Sequence, residues 1–209
     1  MRRGGARALR AAGRFFMRDD EVHATLKRIT GKLDELRIPH AVAGGMALVA
    51  HGYDRTTVDV DVLVSADLLP RVHAELEGRG YLPPFPGSKD LCDTETGVRI
   101  EFLLAGQFPG DGKPKPIAFP DPVAASVTID GIRFLALESL IELKLASGMT
   151  HAGRVKDLAD VQELIRVLRL DAAFGARLHA YVRPKYAELL GALASGPGPD
   201  ATDPGARSD

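Results

Sequence analysis

Asp59 and Asp61 stand one residue apart in the stretch Arg55-Thr56-Thr57-Val58-Asp59-Val60-Asp61-Val62-Leu63-Val64. Side chains alternate across a strand, so Val58, Val60, Val62 and Val64 share one face, and Arg55, Thr57, Asp59 and Asp61 the other. Two carboxylates side by side repel each other, and a fold tolerates that best when a cation sits between them. Oxygen donors of this kind suit Mg²⁺, usually held by one or two carboxylates together with substrate phosphates. The second feature is the pair Gly44-Gly45. Val42-Ala43 before it reads as the end of a strand, and Met46 to Ala50 after it can start a helix. Glycines let the backbone approach a ligand closely, and a helix start presents free N–H groups to phosphate.

Metal-assisted phosphoryl chemistry asks for a further acid, to complete the cation shell or take the attacking hydroxyl's proton. Glu101 is the candidate, on a strand predicted over 98–104 and out of phase with Val98 and Ile100. The competing reading is a solvent-facing glutamate beside Arg99. Lys144 sits among Leu140, Ile141, Leu143 and Leu145. It either snorkels to water or fixes a positive charge where phosphate carries developing negative charge. Asp157 and Asp160 are three residues apart near the start of a predicted helix. Acids there favour the helix dipole whatever else they do, so Asp160 reads as structural and Asp157 as either structural or a proton acceptor.

In order and spacing, Gly44-Gly45 followed after thirteen residues by Asp59-Val60-Asp61 resembles the nucleotidyltransferase superfamily. The wider string, with His51-Gly52 and Arg55-Thr56-Thr57-Val58, looks most like two of its branches. These are the aminoglycoside nucleotidyltransferases and the toxin nucleotidyltransferases of abortive-infection and toxin–antitoxin systems. Lys144 followed by Lys156-Asp157-Leu158-Ala159-Asp160 is similar to the toxin branch. The resemblance implies an α/β (α+β) fold: a mixed sheet with flanking helices, then a small C-terminal helical region. It also implies transfer of a nucleoside monophosphate from an NTP–Mg²⁺ complex, ATP among the NTPs, to an acceptor hydroxyl, with release of pyrophosphate. Asp59, Asp61 and Glu101 would hold Mg²⁺. Gly44 and Gly45 would cradle the phosphates, with Arg55, Thr57 and Lys144 also on the nucleotide, and Glu101 or Asp157 would receive the acceptor's proton. The acceptor (a small molecule, a tRNA end or a protein hydroxyl) and the base of the NTP stay open. The toxin branch adds a possible cognate antitoxin as partner. The alternative is a nucleotidyltransferase-like module that binds a nucleotide or partner without turnover.

Composition narrows the setting. The 209 residues are 45% hydrophobic and 26% charged with net charge −1, which gives no global field towards nucleic acid. The single cysteine, Cys92, excludes an internal disulfide and a thiolate cluster for zinc. No apolar run approaches the roughly 20 residues of a membrane span, and the N-terminus lacks a signal-type apolar core. A cytoplasmic protein with no membrane partner is expected.

Four regions are expected: a basic arm over 1–18, a nucleotidyltransferase-like core over 19–135, a helical region over 136–195 and a disordered tail over 196–209. The arm carries six arginines and no acid, as a solvated tail or an RNA-binding arm would. Val22, Leu26, Ile29, Leu33 and Leu36 predict a helix capped by Asp19 or Asp20. Strands are predicted at 40–43, 56–64 and 98–104, and a hairpin at 127–134 turning on Asp130-Gly131. Leu69, Val72 and Leu76 mark a helix stopped by Gly78 and Gly80. Gly106 to Pro122 reads as a loop. Helices follow at 138–147 and 156–168, then a longer one over 172–194 interrupted near Pro184. The loop lacks a Walker A pattern, the histidines form no zinc cluster, and His51 reads as a helix C-terminal residue.

Overall fold

The computed structural model describes residues 21–195. The arginine-rich 1–18, the caps Asp19 and Asp20, and the tail 196–209 lie outside the described residues. A helix over 21–35 (α1) opens the fold. Strand β1 (His40–Val42), helix α2 (Gly44–Ala50) and strand β2 (Asp59–Val64) follow. Next come α3 (Leu69–Leu76), β3 (Tyr81–Leu82), β4 (Leu91–Asp93) and β5 (Arg99–Leu104). The hairpin β6 (Ser126–Ile129) and β7 (Ile132–Leu135) leads into α4 (Leu137–Gly148), α5 (Val155–Leu168), α6 (Ala172–Arg177) and α7 (Arg183–Ser195).

The seven strands form one mixed sheet in the order β3-β4-β5-β2-β1-β7-β6. At its centre β2 runs parallel to β5 and antiparallel to β1. Val60, Val62, Ile100 and Phe102 fill one face of the central pair and are buried. Each such side chain contributes about 1.5–3 kcal/mol of transfer free energy. One continuous cluster of buried side chains joins the sheet to α1 and to α4–α7. This is the mixed sheet with flanking helices that the resemblance implies.

The hairpin turns on Asp130 (φ 48°) and Gly131 (φ 82°). Positive φ at both central residues matches the twist of the flanking strands. Two local expectations change, and two strands are new. Strand β2 begins at Asp59 rather than 56, and Val58 is 54% exposed instead of joining the valine face. β3 and β4 are too short to carry a readable alternation. The expected long helix is two, α6 and α7, separated by a turn in which Leu178 and Val182 are fully buried. Pro184 lies in the first turn of α7, where its missing N–H costs nothing.

Candidate active site

The central register sets the site. In the parallel pair Asp59 lies opposite Arg99 and Asp61 opposite Glu101, so the polar face of β2 and β5 carries three acids and one arginine. The Thr57 hydroxyl donates to Asp59 Oδ1 at 3.0 Å and fixes that carboxylate from two residues upstream. Strand β1 delivers the chain to the same place: the Ala43 N–H donates to the Asp61 carbonyl at 2.9 Å, and α2 begins at the next residue.

Gly44 has φ +55°, a left-handed conformation that an L side chain adopts only with strain. A β-carbon there would also collide with the Asp61 carboxylate. At Gly45 a β-carbon would collide with the Thr57 side chain. The glycine pair therefore lets the start of α2 press directly against the aspartate strand. Both glycines also line the adjoining cleft, the side from which the sequence expects a ligand to approach.

Asp61 is a strongly perturbed acid. Burial first, then the charges of Asp59 and Glu101, push its carboxyl up to about 7, against a smaller opposing pull from Lys144 and the Gly45 N–H. Such a carboxylate is short of positive charge, which is the condition a divalent cation relieves. Asp59 and Asp61 thus fit Mg²⁺ by donor type and by uncompensated charge. Among the described residues no three His, Cys, Asp or Glu side chains form an assembled metal group. Glu101 is drawn to the Arg99 guanidinium at 3.4 Å. Arg99 in turn is anchored at 2.6 Å on Asp90, a buried aspartate of the loop before β4. Burial alone would raise the Asp90 carboxyl, but hydrogen bonds from Arg99, Lys89 and the Phe102 N–H hold it below its ordinary value.

The rest of the lining described here comes from α4, α5 and the chain before β2. Lys144 Nζ donates to Asp157 Oδ1 at 3.0 Å and to Asp160 Oδ2 at 2.7 Å. Its side chain is only 12% exposed, so the ammonium is held by acids and does not snorkel to water. Arg55 Nη1 donates to both oxygens of Asp160 at 2.7 Å. Ser147, one turn after Lys144 on α4, donates to Asp157 Oδ2 at 2.6 Å. The structure brings all nine sequence candidates to the lining of one cleft of about 480 Å³. Sequence reasoning missed Ser147 there, although its spacing from Lys144 puts both on one helix face. His51 caps α2 and reaches the Leu135 carbonyl at 2.8 Å, a packing role.

The family described as "uncharacterised nucleotidyltransferase" matches residues 6–185. The chain belongs to that nucleotidyltransferase family. Two solved structures of the antibiotic-resistance factor ANT(2'')-Ia share the nucleotidyltransferase fold. Its solution structure is 17% identical over 83% of this chain and 98% of that one, with a TM-score of 0.54. Its crystal structure in complex with adenylyl-2''-tobramycin is 14% identical over 81% and 97%, with a TM-score of 0.52. No curated protein matches this nucleotidyltransferase by sequence. Among its described residues no helix is long and apolar enough to cross a membrane.

Proposed function

We propose that this nucleotidyltransferase transfers a nucleoside monophosphate from a Mg²⁺-bound NTP to an acceptor hydroxyl in the cytoplasm, releasing pyrophosphate. One observation carries the reading. An acid pair with uncompensated charge, Asp59 and Asp61, lines the same cleft as a cation, Lys144, locked in place by two carboxylates. A purely binding module has little use for two adjacent repelling carboxylates.

Asp59 and Asp61 would hold the Mg²⁺, which when bound neutralises phosphate charge and orients the reacting group. Thr57 holds the Asp59 carboxylate in its orientation. Gly44 and Gly45 bring the backbone to the cleft where the phosphates would lie. Lys144 and Arg55 offer positive charge to the phosphoryl oxygens, charge already oriented before the reaction starts. Asp157, or Glu101 beside Asp61, accepts the proton of the attacking hydroxyl. Most of the rate gain in such a site is positioning and electrostatics.

A small hydroxylated acceptor is the first to test, because ANT(2'')-Ia, whose fold this chain shares, is solved with an adenylylated aminoglycoside. The experiment incubates the protein, Mg²⁺ and each labelled NTP with aminoglycosides, with tRNA and with a cell extract, then identifies by mass spectrometry the species that gains a nucleotide. Wild-type transfer that disappears in Asp59→Asn supports the reading. Nucleotide binding without consumption of any NTP in any mixture favours the binding-module alternative.

A further inference from the structure

Among the described residues, Asp160 is the one carboxylate lining the cleft that joins three separate parts of the chain by hydrogen bonds. It comes from α5, accepts Arg55 from the segment before β2, and accepts Lys144 from α4. It is buried, with 4% of its surface exposed. A buried carboxylate is tolerated when paired and hydrogen-bonded, and this one has two cations on it.

The donor accounting shows what the pairing does to those cations. An ammonium has three N–H donors. Lys144 spends one on Asp157 and one on Asp160, which leaves one. Arg55 spends Nη1 on Asp160 and Nε on the Thr56 carbonyl, and Nη2 has no hydrogen-bond partner among the described residues. Both side chains line the same cleft as Asp59 and Asp61. Each cation is thus anchored, shares Asp160 with the other, and has unspent donors.

We infer that Asp160 is a positioning residue that aims Arg55 and Lys144 together at the phosphates of a bound nucleotide. The inference rests on the nucleotide reading proposed above. Asp160 itself touches no reacting atom. It fixes two long side chains before the ligand arrives, so binding costs them little side-chain entropy. It also neutralises part of their charge in the empty cleft. Among the described residues Asp157, by contrast, reaches only Lys144 and Ser147 at hydrogen-bond distance, and Asp160 alone links the two cations.

The test uses inorganic tripolyphosphate and Mg–ATP as probes, with calorimetric dissociation constants measured in the presence of Mg²⁺, alongside thermal unfolding. Asp160→Glu keeps the charge but displaces the carboxylate by one methylene. Asp160→Asn keeps the shape and removes the charge. The expected result is at least tenfold weaker binding of both probes by Asp160→Glu, with an unfolding midpoint close to wild type. A cycle with Lys144→Met supplies the readout that a structural role would not move. The loss caused by Asp160→Glu shrinks by at least threefold once Lys144 is gone, because only Arg55 is left for the displaced anchor to misplace. Binding within twofold of wild type in the folded variants overturns the inference. So does strict additivity with Lys144→Met, or failure of both Asp160 variants to fold, either of which makes Asp160 a stability residue only. A wild-type protein that binds neither probe overturns the nucleotide reading and the inference with it.

Discussion

The Asp61 carboxylate and the missing side chain of Gly44 compete for the same space. A β-carbon at Gly44 would fall on Asp61, and the backbone there is already left-handed at φ +55°. The glycine turn and the aspartate strand are therefore one unit, and neither half can be altered alone. The hydrogen bond from the Ala43 N–H to the Asp61 carbonyl closes that unit on the backbone side.

Gly44→Ala is expected to destabilise the fold by at least about 1–2 kcal/mol from the left-handed conformation alone, with the displacement of Asp61 adding to it. Chemical denaturation of the metal-free protein measures the loss. Unchanged stability would mean that the turn relaxes freely and that its coupling to Asp61 is weak.

Gly45 makes the same argument with a different partner, Thr57, whose side chain stands where a β-carbon would go. Gly45→Ala should lower the unfolding midpoint, and Gly45→Ala combined with Thr57→Gly should recover part of that loss. The double variant removes the colliding atoms, so the two changes are expected to be non-additive in the favourable direction. Simple addition of the two losses would show that the collision is relieved elsewhere.

Asp61 should make the metal-free protein sensitive to pH. Its folded carboxyl sits at about 7, above the ordinary 3.8, because of burial and then Asp59 and Glu101. The folded state therefore binds this proton more tightly than the unfolded state. The stability contributed by the group is fully present below the ordinary value and is lost as pH rises through about 7. Asp61→Asn, which carries no charge, should gain in unfolding midpoint relative to wild type as pH rises from about 5 to about 8 in a chelating buffer. Adding Mg²⁺ at the upper end should stabilise wild type and leave the variant unmoved. A difference independent of pH would show that Asp61 is not under electrostatic stress.

The parts of this site that were legible in the sequence are those that repeat locally. Alternation marked β2 and the acid face, the glycine pair marked the turn before α2, and apolar spacing marked α4 and α5. β3 and β4 escaped because two or three residues cannot display a period. Lys144 was visible only as a lysine among leucines. Its partners lie thirteen and sixteen residues away on another helix, and that meeting is tertiary. Asp160 read as structural because its second cation, Arg55, is 105 residues distant. The glycines suggested ligand access and both line the cleft, but that a β-carbon on either would strike Asp61 or Thr57 is a tertiary contact that the sequence does not display.

Lys144→Met tests the cation wall directly. On sequence grounds a snorkelling lysine could lose its charge at little cost, since methionine keeps much of the stem. The structure changes that expectation, because the ammonium is 12% exposed and bonded to two carboxylates. Asp160 keeps Arg55 and Asp157 keeps Ser147 when Lys144 is gone, so neither acid is left without a donor. The expected destabilisation is therefore about 1.5–3 kcal/mol, the range for losing hydrogen bonds to charged groups, and the fold survives. Nucleotidyl transfer should fall by about a hundredfold or more, the scale of removing one preorganised electrostatic contact. Lys156→Met is the control: Lys156 lines the same cleft, is exposed, and makes no ion pair or side-chain hydrogen bond among the described residues. It should change stability little and activity by a few-fold at most through the general field. Equal small losses of activity in both variants would show that Lys144 only ties α4 to α5, and that its charge does not serve the phosphates.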